Sequence, residues 1–405
     1  MVPKLRFPEF RDAAGWRPYI LEELEGLGWV KLGRGEVISN QDIKAIPGDY
    51  PIYSSSVKNN GLMGSYGRFM FDEELISWSV DGGGDFFYRP PHKFSVTNVS
   101  GYMRLNTSHL NYRFTASQLQ ALHASLTFDY QFKAHPSVIR KLYRLAIPSP
   151  AEQQKIAECL SSVDELIAAQ ARKLTALKTH KKGLMQQLFP REGETQPRLR
   201  FPEFQNTGEW GKRQLSQLTT KISDGIHATP VYDETGEYTF INGNNLANGK
   251  ILINEKTKRV NLAEFDRHKN PLDANSILMS INGTIGNLAI FRDEKVILGK
   301  SACFINVDRK LVNKFFIYYL LQTDNVKSFF DTELTGSTIK NLSLGTIKNI
   351  QLLISTLPEQ QRIADCLTSL DDLIAAETQK LDALKTHKKG LMQQLFPSPD
   401  TKQRH

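Results

Sequence analysis

The stretch ALKTHKKGLMQQLFP occupies residues 176–190, and the same fifteen letters return at residues 383–397. The likeness extends further towards the N-terminus, since residues 152–190 and 359–397 are identical at 30 of 39 positions. An internal repeat of this size predicts a chain made of two halves built on one plan.

A shorter repeat marks the start of each half. The letters LRFPEF stand at residues 5–10 and again at 199–204, and a tryptophan follows each copy by six residues, as Trp16 and Trp210. Between the repeats lie two middles whose sequences do not align convincingly. The predicted order along the chain is therefore head, middle and long segment, followed by the same three again.

Each long segment is predicted to be a single helix. Ser149 and Glu152 have capping-box spacing around Pro150, and Thr356 and Glu359 have the same spacing in the second copy. Apolar residues then recur at alternating spacings of three and four, which is the pattern of a coiled-coil seam. A helix of roughly 38 residues is about 57 Å long and needs a partner of its own length, so we expect the two copies to pair with each other. We expect the pairing to be antiparallel, because only that arrangement puts the two middles at opposite ends and leaves the first LRFPEF near the C-terminus. The seam positions are Ile156, Leu160, Val163, Ile167, Leu174, Leu177, Leu184 and Leu188, and then Ile363, Leu367, Leu370, Ile374, Leu381, Leu384, Leu391 and Leu395.

The two middles are predicted to be mixed α/β domains. Runs such as ELISWSV and SILMSI favour strands, whereas DGGGD and NGNNLANG are typical of turns. The predicted fold class is α+β, with two α/β domains joined by two long helices that pair as an antiparallel coiled coil with internal pseudo-two-fold symmetry. The predicted boundaries are 1–147 for the first domain, 148–190 for the first helix, 191–355 for the second domain, 356–397 for the second helix and 398–405 for a flexible tail.

The composition limits the possible functions. A net charge of +8 and a pI near 9.1 admit a polyanionic partner. The first residues, MVPKLRFPEFRD, contain no apolar core, and the longest apolar run is FFIYYLL, so we expect a cytoplasmic protein. The three cysteines stand apart from one another and from histidines at metal-ligand spacing, so neither a metal site nor a cofactor is expected.

No complete catalytic motif is present in the sequence. EKVILGKS supplies Gly299, Lys300 and Ser301, but Glu294 stands where a P-loop requires its first glycine. PLD at 271–273 followed by DEK at 293–295 only distantly resembles the carboxylate and lysine site of nucleases, and surface turns explain both. The Asn-Pro-Pro-aromatic motif of adenine methyltransferases is missing. We therefore expect no catalytic residues and no enzymatic activity.

The whole pattern resembles the specificity subunits of type I restriction-modification systems. The resemblance spans nearly the whole chain and rests on RFPEF with its tryptophan, PSPAEQQKIAECL and TLPEQQRIADCL at the helix starts, KGLMQQLFP at the helix ends, and ISDGIHATP, FINGNNL, SILMSINGTIGN and GSTIKNLS in the second middle. It implies that each middle is a target recognition domain that reads one half of a split site in double-stranded DNA. It also implies that the helices set the spacing and dock two methyltransferase subunits, which in turn carry two motor-nuclease subunits.

Candidate DNA contacts are polar or cationic residues of the predicted loops, because asparagine pairs well with adenine, and arginine or lysine with guanine. A turn or capping role is the alternative for each. The KTHKK clusters at 178–182 and 385–389 are expected to complement the helix dipole and stay solvated, and a grip on phosphate is the alternative. The candidates are Tyr53, Ser54, Ser55, Ser56, Lys58, Lys133 and His135 in the first middle, and His227, Thr229, Asn242, Asn244, Asn245, Asn282, Thr284, Ser337, Thr338 and Lys340 in the second.

Two other functions compete with DNA recognition. A nuclease built from fused repeats would need a complete catalytic motif, which the sequence lacks. A purely structural coiled-coil scaffold would have no need of two large, dissimilar, loop-rich middles. The sequence therefore favours a non-catalytic DNA-binding subunit.

Overall fold

The computed structural model describes residues 1–56, 58–81, 84–125, 134–334 and 341–397, and the chain divides into two compact units. Unit 1 comprises the chain up to Arg172 together with the chain from Gln379 onwards, and unit 2 comprises Lys173–Thr378. Each unit therefore contains one middle, the N-terminal part of one long helix and the C-terminal part of the other. The predicted tail at 398–405 lies outside the described residues.

The middle of unit 1 is built around a six-stranded sheet. Its elements are β1 (Arg17–Ile20), α1 (Leu21–Gly26), β2 (Val30–Arg34), α2 (Asn40–Ala45), β3 (Tyr50–Tyr53), β4 (Leu62–Tyr66), β5 (Phe71–Ser79), β6 (Phe86–Val96), β7 (Ser100–Leu105), α3 (Tyr112–Ala124), α4 (Pro136–Leu142) and β8 (Arg144–Ile147). The sheet order is β2-β7-β5-β6-β3-β4. Ile76 and Trp78 of β5 are buried in the core against α3 and α4, and the Trp78 indole donates to the carbonyl of Ala134 (2.8 Å).

The first long helix, α5 (Pro150–Leu188), precedes the middle of unit 2, which divides its strands among smaller sheets. Its elements are β9 (Gly211–Gln214), β10 (Thr219–Asp224), β11 (Tyr238–Ile241), β12 (Leu246–Ala247), β13 (Lys250–Ile251), β14 (Arg259–Val260), α6 (Leu262–His268), β15 (Ser276–Ser280), β16 (Leu288–Ile290), β17 (Val296–Leu298), β18 (Ala302–Val307), α7 (Lys314–Leu320), α8 (Asp324–Leu334), α9 (Leu344–Lys348) and β19 (Gln351–Ile354), and α10 (Leu357–Leu395) follows. The larger sheets have the orders β10-β18-β15-β16 and β14-β11-β17.

In both units the first and last strands of the middle pair with each other. Strand β1 pairs antiparallel with β8, and Arg17 lies opposite Ile147. Strand β9 pairs antiparallel with β19, and Gly211 lies opposite Ile354. Each middle therefore begins and ends in one two-stranded ribbon, immediately before its long helix.

The long helices pair antiparallel within each unit, since the N-terminal part of one packs against the C-terminal part of the other. The shared apolar residues are Ile156, Leu160, Leu391 and Leu395 in unit 1, and Leu184, Leu188, Ile363 and Leu367 in unit 2. Every predicted seam residue is buried or half-buried. The heptad spacing also places two lysines in the seam, and both form ion pairs. Lys388 pairs with Asp164 and Lys181 with Asp371, both at 2.6 Å. The predicted antiparallel arrangement is confirmed in each unit.

The predicted capping boxes are wrong in one part. The hydroxyl of Ser149 does accept from the amide of Glu152 (3.3 Å), as expected. The Glu152 carboxylate, however, accepts from the guanidinium of Arg6, and Glu359 in the second copy accepts from Arg200. Two charge-assisted bonds to a guanidinium are stronger than one bond to a backbone amide, so the distant arginine replaces the local cap.

None of the helices in the described part of the chain is long and apolar enough to cross a membrane.

Candidate nucleic-acid interfaces

In unit 2, loops that follow three strands meet at the turn between β17 and β18, residues 298–301. The loops are those at 225–229, 242–245 and 281–287, and together with the turn we call them the unit 2 loop cluster. The hydrogen bonds that join them to the turn are Gly299 N–H to the Ile241 carbonyl (2.8 Å), Ile226 N–H to the Leu298 carbonyl (2.7 Å) and Ile281 N–H to the Ser301 carbonyl (2.9 Å). These bonds fix the relative positions of four segments, each of which carries exposed residues.

Glycines make this close approach of backbones possible. A Cβ on Gly243 would lie 2.7 Å from the carbonyl oxygen of Ser301. A Cβ on Gly225 would collide with the backbone of Leu298, and one on Gly299 would meet a neighbouring side chain. Larger residues at these three positions would separate the loops.

In unit 1, the described residues of the loop between β3 and β4, 54–56 and 58–61, are held by hydrogen bonds to their neighbours. We call this segment the unit 1 loop. Its hydrogen bonds are Ser54 N–H to the Gly61 carbonyl (2.8 Å), Thr97 Oγ1 to Ser54 Oγ (3.1 Å), Ser79 Oγ to the Ser55 carbonyl (2.8 Å) and Arg89 Nη2 to the Asn60 carbonyl (2.8 Å). These bonds anchor the backbone at both ends of the segment, so its exposed side chains start from defined backbone positions.

Arg89 supports the unit 1 loop from within the domain. It is 4% exposed, donates to the hydroxyl of Ser77 (2.8 Å), and stacks its guanidinium over the ring of Tyr53 at 3.6 Å. Burial among these neutral groups lowers the pKa of Arg89 to about 10, so it remains charged at neutral pH. A buried cation thus underlies the loop that carries the first candidate DNA contacts.

The head of each half is joined to its long helix by a buried ion pair. In unit 1 Arg6 binds Glu152 through two hydrogen bonds of 2.7 and 2.8 Å, and the carboxylate raises the pKa of that guanidinium. In unit 2 Arg200 binds Glu359 with the same two distances. All four side chains are less than a tenth exposed. We call these contacts the two joints.

A helix from each middle also docks beside its joint. The amide of Asn111, just before α3, donates to Gln153 Oε1, and the amide of Asn313, just before α7, donates to Gln360 Oε1, both at 2.9 Å. A buried phenylalanine lies three residues after each asparagine, Phe114 in unit 1 and Phe316 in unit 2. The two middles, which do not align in sequence, therefore attach to the repeated helices in one way.

A protein-family model described as type I restriction modification DNA specificity domain matches residues 23–179 and 207–386. The two matches together cover more than half of the chain. The chain belongs to this DNA specificity family. The resemblance stated from the sequence is thereby confirmed.

Individual relatives agree with this assignment. A Mycoplasma pneumoniae protein named type I specificity subunit S.MpnORF507P is 27% identical over 346 residues, covering 83% of this chain and 85% of its own length. The type I restriction enzyme MjaVIII specificity subunit of Methanocaldococcus jannaschii is 22% identical over 372 residues, covering 87% and 86%. The crystal structure of the S subunit of a type I restriction-modification system from M. genitalium covers 98% of this chain and 100% of its own, with 17% identity and a TM-score of 0.62. This structural likeness confirms the fold predicted for a specificity subunit.

The second domain of this specificity-family chain brings most of its predicted contacts into the unit 2 loop cluster. Asn244, Thr229 and Thr284 are exposed there, and His227 is exposed with its ring 2.8 Å from Asp224. Asn282 is half-buried, and its backbone bridges to Asn341. Ser337, Thr338 and Lys340 lie outside the described residues.

Two of the predicted contacts in unit 2 have internal partners. The Asn242 side chain accepts from the hydroxyl of Ser301 (2.9 Å). The Asn245 side chain accepts from the amide of Asn242 (3.0 Å) and donates to the carbonyl of Leu252 (2.9 Å). These asparagines hold the loops together, which is the turn role named above as the alternative.

In unit 1 the candidates also divide into internal and exposed groups. Tyr53, Ser54 and Ser55 are half-buried and bonded within the domain, whereas Ser56 and Lys58 are exposed. His135 is exposed and caps α4. It lies near the unit 1 loop, because its neighbour Ala134 donates to Val80 (2.8 Å), at the end of β5 where Ser79 holds Ser55. Lys133 lies outside the described residues.

Sequence reasoning missed two exposed residues of the unit 1 loop. Asn59 and Asn60 both adopt left-handed backbone conformations, with φ of 50° and 51°, and their side chains are exposed. The Asn-Asn-Gly string at 59–61 is a signal for such a turn, because asparagine and glycine tolerate positive φ best. The role of Arg89 has no local signal, since only the fold buries it.

Proposed function

We propose that this chain is the DNA-reading subunit of a type I restriction-modification complex and that each middle reads one half of a bipartite site. The observation that carries the proposal is the contrast between the two joints, whose ion pairs have the same donor and acceptor atoms and distances, and the two loop surfaces, which share neither sequence nor sheet order. Two joints with the same ion pair are expected if both domains must attach to the repeated helices in the same way. Dissimilar loops suit domains that read different bases.

A domain exchange tests this division of labour. Residues 17–147 would be replaced by the equivalent domain of a relative, the chimera would be co-expressed with its methyltransferase partner, and modified adenines would be mapped across the genome. We expect one half of the methylated motif to change and the other to remain. A motif that changes in both halves, or in neither, contradicts the proposal.

The paired helices are proposed to set the number of unread bases between the half-sites. Removing one heptad from each helix shortens the pair by about 10 Å, which corresponds to about three base pairs of B-DNA at roughly 3.4 Å per step. Residues 164–170 and 371–377 are equivalent segments for such a deletion. We expect an unchanged pair of half-sites with a shorter gap between them. A changed half-site would contradict the proposed separation of roles.

We propose further that the repeated helices dock two copies of one methyltransferase subunit, through which two motor-nuclease subunits bind. Leu166 with Ala169 on α5 and Leu373 with Ala376 on α10 form the same exposed apolar pair, and the two leucines are 57% and 42% exposed. The seam does not require these leucines, because they point away from it. Two identical apolar patches suit two copies of the same partner.

Lysine substitutions test this docking. Leu166→Lys and Leu373→Lys should each remove about half of the methyltransferase that co-purifies with the chain, and the double variant should remove nearly all of it. Leu311→Lys is the matched control, because Leu311 is 48% exposed in the second domain and outside the repeat. Equal retention of the methyltransferase by all four variants would place docking elsewhere.

Within this proposal the chain performs no catalysis and acts where its DNA is, in the cytoplasm. A nuclease is the alternative to test. Incubation of the purified chain with plasmid and Mg²⁺ should leave the plasmid supercoiled, and nicking that co-purifies with the chain through every step would favour the nuclease.

A further inference from the structure

The LGKS stretch at residues 298–301 fails as a P-loop, yet it forms the turn at the centre of the unit 2 loop cluster. Every loop of the cluster is bonded to this turn, as described above. Between the two bonded residues Gly299 and Ser301 stands Lys300, whose side chain is exposed. The most central residue of the cluster is therefore a lysine.

The residues on both sides of Lys300 are fixed. Gly299 donates to the carbonyl of Ile241 (2.8 Å) and leaves no space for a larger residue. The Ser301 hydroxyl accepts from the amide of Gly243 (2.9 Å) and donates to the side chain of Asn242 (2.9 Å). The Lys300 backbone is consequently held more firmly than that of a lysine in an ordinary surface turn.

The surroundings of Lys300 suit a base edge. The neighbouring loops offer neutral hydrogen-bonding side chains, namely those of Asn244, Thr229 and Thr284, which are exposed. The carboxylate closest in sequence to these loops, Asp224, is 2.8 Å from the ring of His227. A lysine on a held backbone among neutral donors and acceptors can bring its ammonium to the O6 and N7 acceptors of guanine, whereas a phosphate contact would require no such held backbone.

We propose that Lys300 donates to a guanine in the half-site that the second domain reads. This assignment rests on the proposed function and adds a base-specifying residue to it. Asn242, Asn245 and Ser301 then act as positioning residues, since their side chains hold the loops around Lys300.

The test is selection of DNA from a pool of random-sequence duplexes by the full chain together with its co-expressed methyltransferase partner. The wild-type chain should enrich a bipartite motif. Lys300→Gln and Lys300→Met should each reduce the preference for guanine at one position of one half-site by about 10-fold. Lys300→Arg should retain the preference, because arginine also pairs with guanine.

The matched control is Lys310→Gln. Lys310 is exposed in the same unit but follows the other end of β18, about 20 Å along the strand from Lys300. The Lys310→Gln substitution removes the same charge as Lys300→Gln and should leave the enriched motif unchanged. The half-site of the first domain serves as an internal control, because a correctly folded Lys300 variant must still read it.

Two results overturn the assignment. If Lys300→Gln weakens binding equally for all sequences and flattens the salt dependence, the lysine contacts phosphate and not a base. If the motif of Lys300→Gln equals that of the wild type, Lys300 has no part in recognition. Failure of the wild-type chain to enrich any bipartite motif would instead refute the proposed function itself, and this inference with it.

Discussion

The joints and the loop surfaces of the two units follow opposite rules. Arg6 and Arg200 bind their glutamates at the same pair of distances, 2.7 and 2.8 Å, from identical LRFPEF segments. The loop surfaces differ in every respect, since unit 1 supports one loop on a buried arginine and unit 2 ties several loops to one turn. Structure is repeated where the chain holds its domains and differs at the loops that the proposed function places on DNA.

One difference inside the joints sharpens this contrast. The Trp16 indole donates to Glu152 at 3.1 Å, whereas the buried indole nitrogen of Trp210 has no hydrogen-bond partner among the described atoms. The Asp371 carboxylate accepts from Tyr319 at 2.7 Å, whereas Ser117 stands at the corresponding place on α3. The joints thus share their ion pair but not every contact around it, which allows the contributions to be separated.

The largest effect is expected from removing a joint carboxylate. Glu152→Ala leaves the guanidinium of Arg6 buried without its partner and should lower the free energy of unfolding by about 3 to 5 kcal/mol. Glu359→Ala should do the same through Arg200. Glu158→Ala is the control, because Glu158 is exposed on α5, and it should change stability by less than about 0.5 kcal/mol. Thermal or urea unfolding of the full chain measures these differences, and an effect of Glu152→Ala as small as that of the control would contradict the joint.

The tryptophans give the next largest expected difference. Trp16→Phe removes a hydrogen bond to a charged acceptor and should destabilise unit 1 by about 2 kcal/mol. Trp210→Phe removes an unpaired indole N–H, so only the loss of packing remains, at about 1 kcal/mol. The urea midpoints of the two variants, measured side by side, test this difference. Equal losses of unfolding free energy would show that the Trp16 hydrogen bond does not contribute to stability.

A smaller effect is expected where the middle helices meet the seam. Tyr319→Phe removes the hydroxyl that donates to Asp371 and should cost about 1 kcal/mol, because that carboxylate is partly exposed and regains water. Ser117→Ala, at the corresponding place in unit 1, should be neutral within about 0.5 kcal/mol. A larger loss for Ser117→Ala than for Tyr319→Phe would reverse the comparison.

The smallest change in stability is expected in the unit 1 loop. Asn60→Gly introduces a residue that adopts the left-handed backbone readily, at φ 51°, and should alter the free energy of unfolding by less than about 0.5 kcal/mol. If the Asn60 side chain touches a base, the same variant should still change the half-site read by the first domain. Methylome mapping beside a melting curve separates the two effects, and a variant that reads its half-site unchanged would remove Asn60 from the recognition surface.

The predictability of this chain from its sequence follows the range of the interactions. The seam was predictable because Ile156, Leu160 and their successors repeat at short, regular intervals. The hydrogen-bond partner of the Glu152 carboxylate was not predictable, because Arg6 lies far away in sequence and replaces the local backbone amide as the donor. Asn242 and Asn245 have the chemistry of base-reading residues. The partner of the Asn242 side chain, Ser301, is distant in sequence and is revealed only by the fold, whereas Asn245 bonds to the nearby Asn242 and Leu252. The position of Lys300 in the unit 2 loop cluster was not predictable, because the incomplete P-loop motif around it does not show that three loops contact this turn.

The ribbons that open and close each middle have an evolutionary consequence. Since Arg17 lies opposite Ile147, and Gly211 opposite Ile354, the two ends of each middle are neighbouring strands, separated by about 5 Å. A gene segment of any length could be exchanged between these ends without stretching the chain, provided that its product also starts and finishes as adjacent strands. Crossing-over between related genes could therefore replace a whole middle in one event, and a lineage could acquire a new DNA specificity without the gradual alteration of its loops.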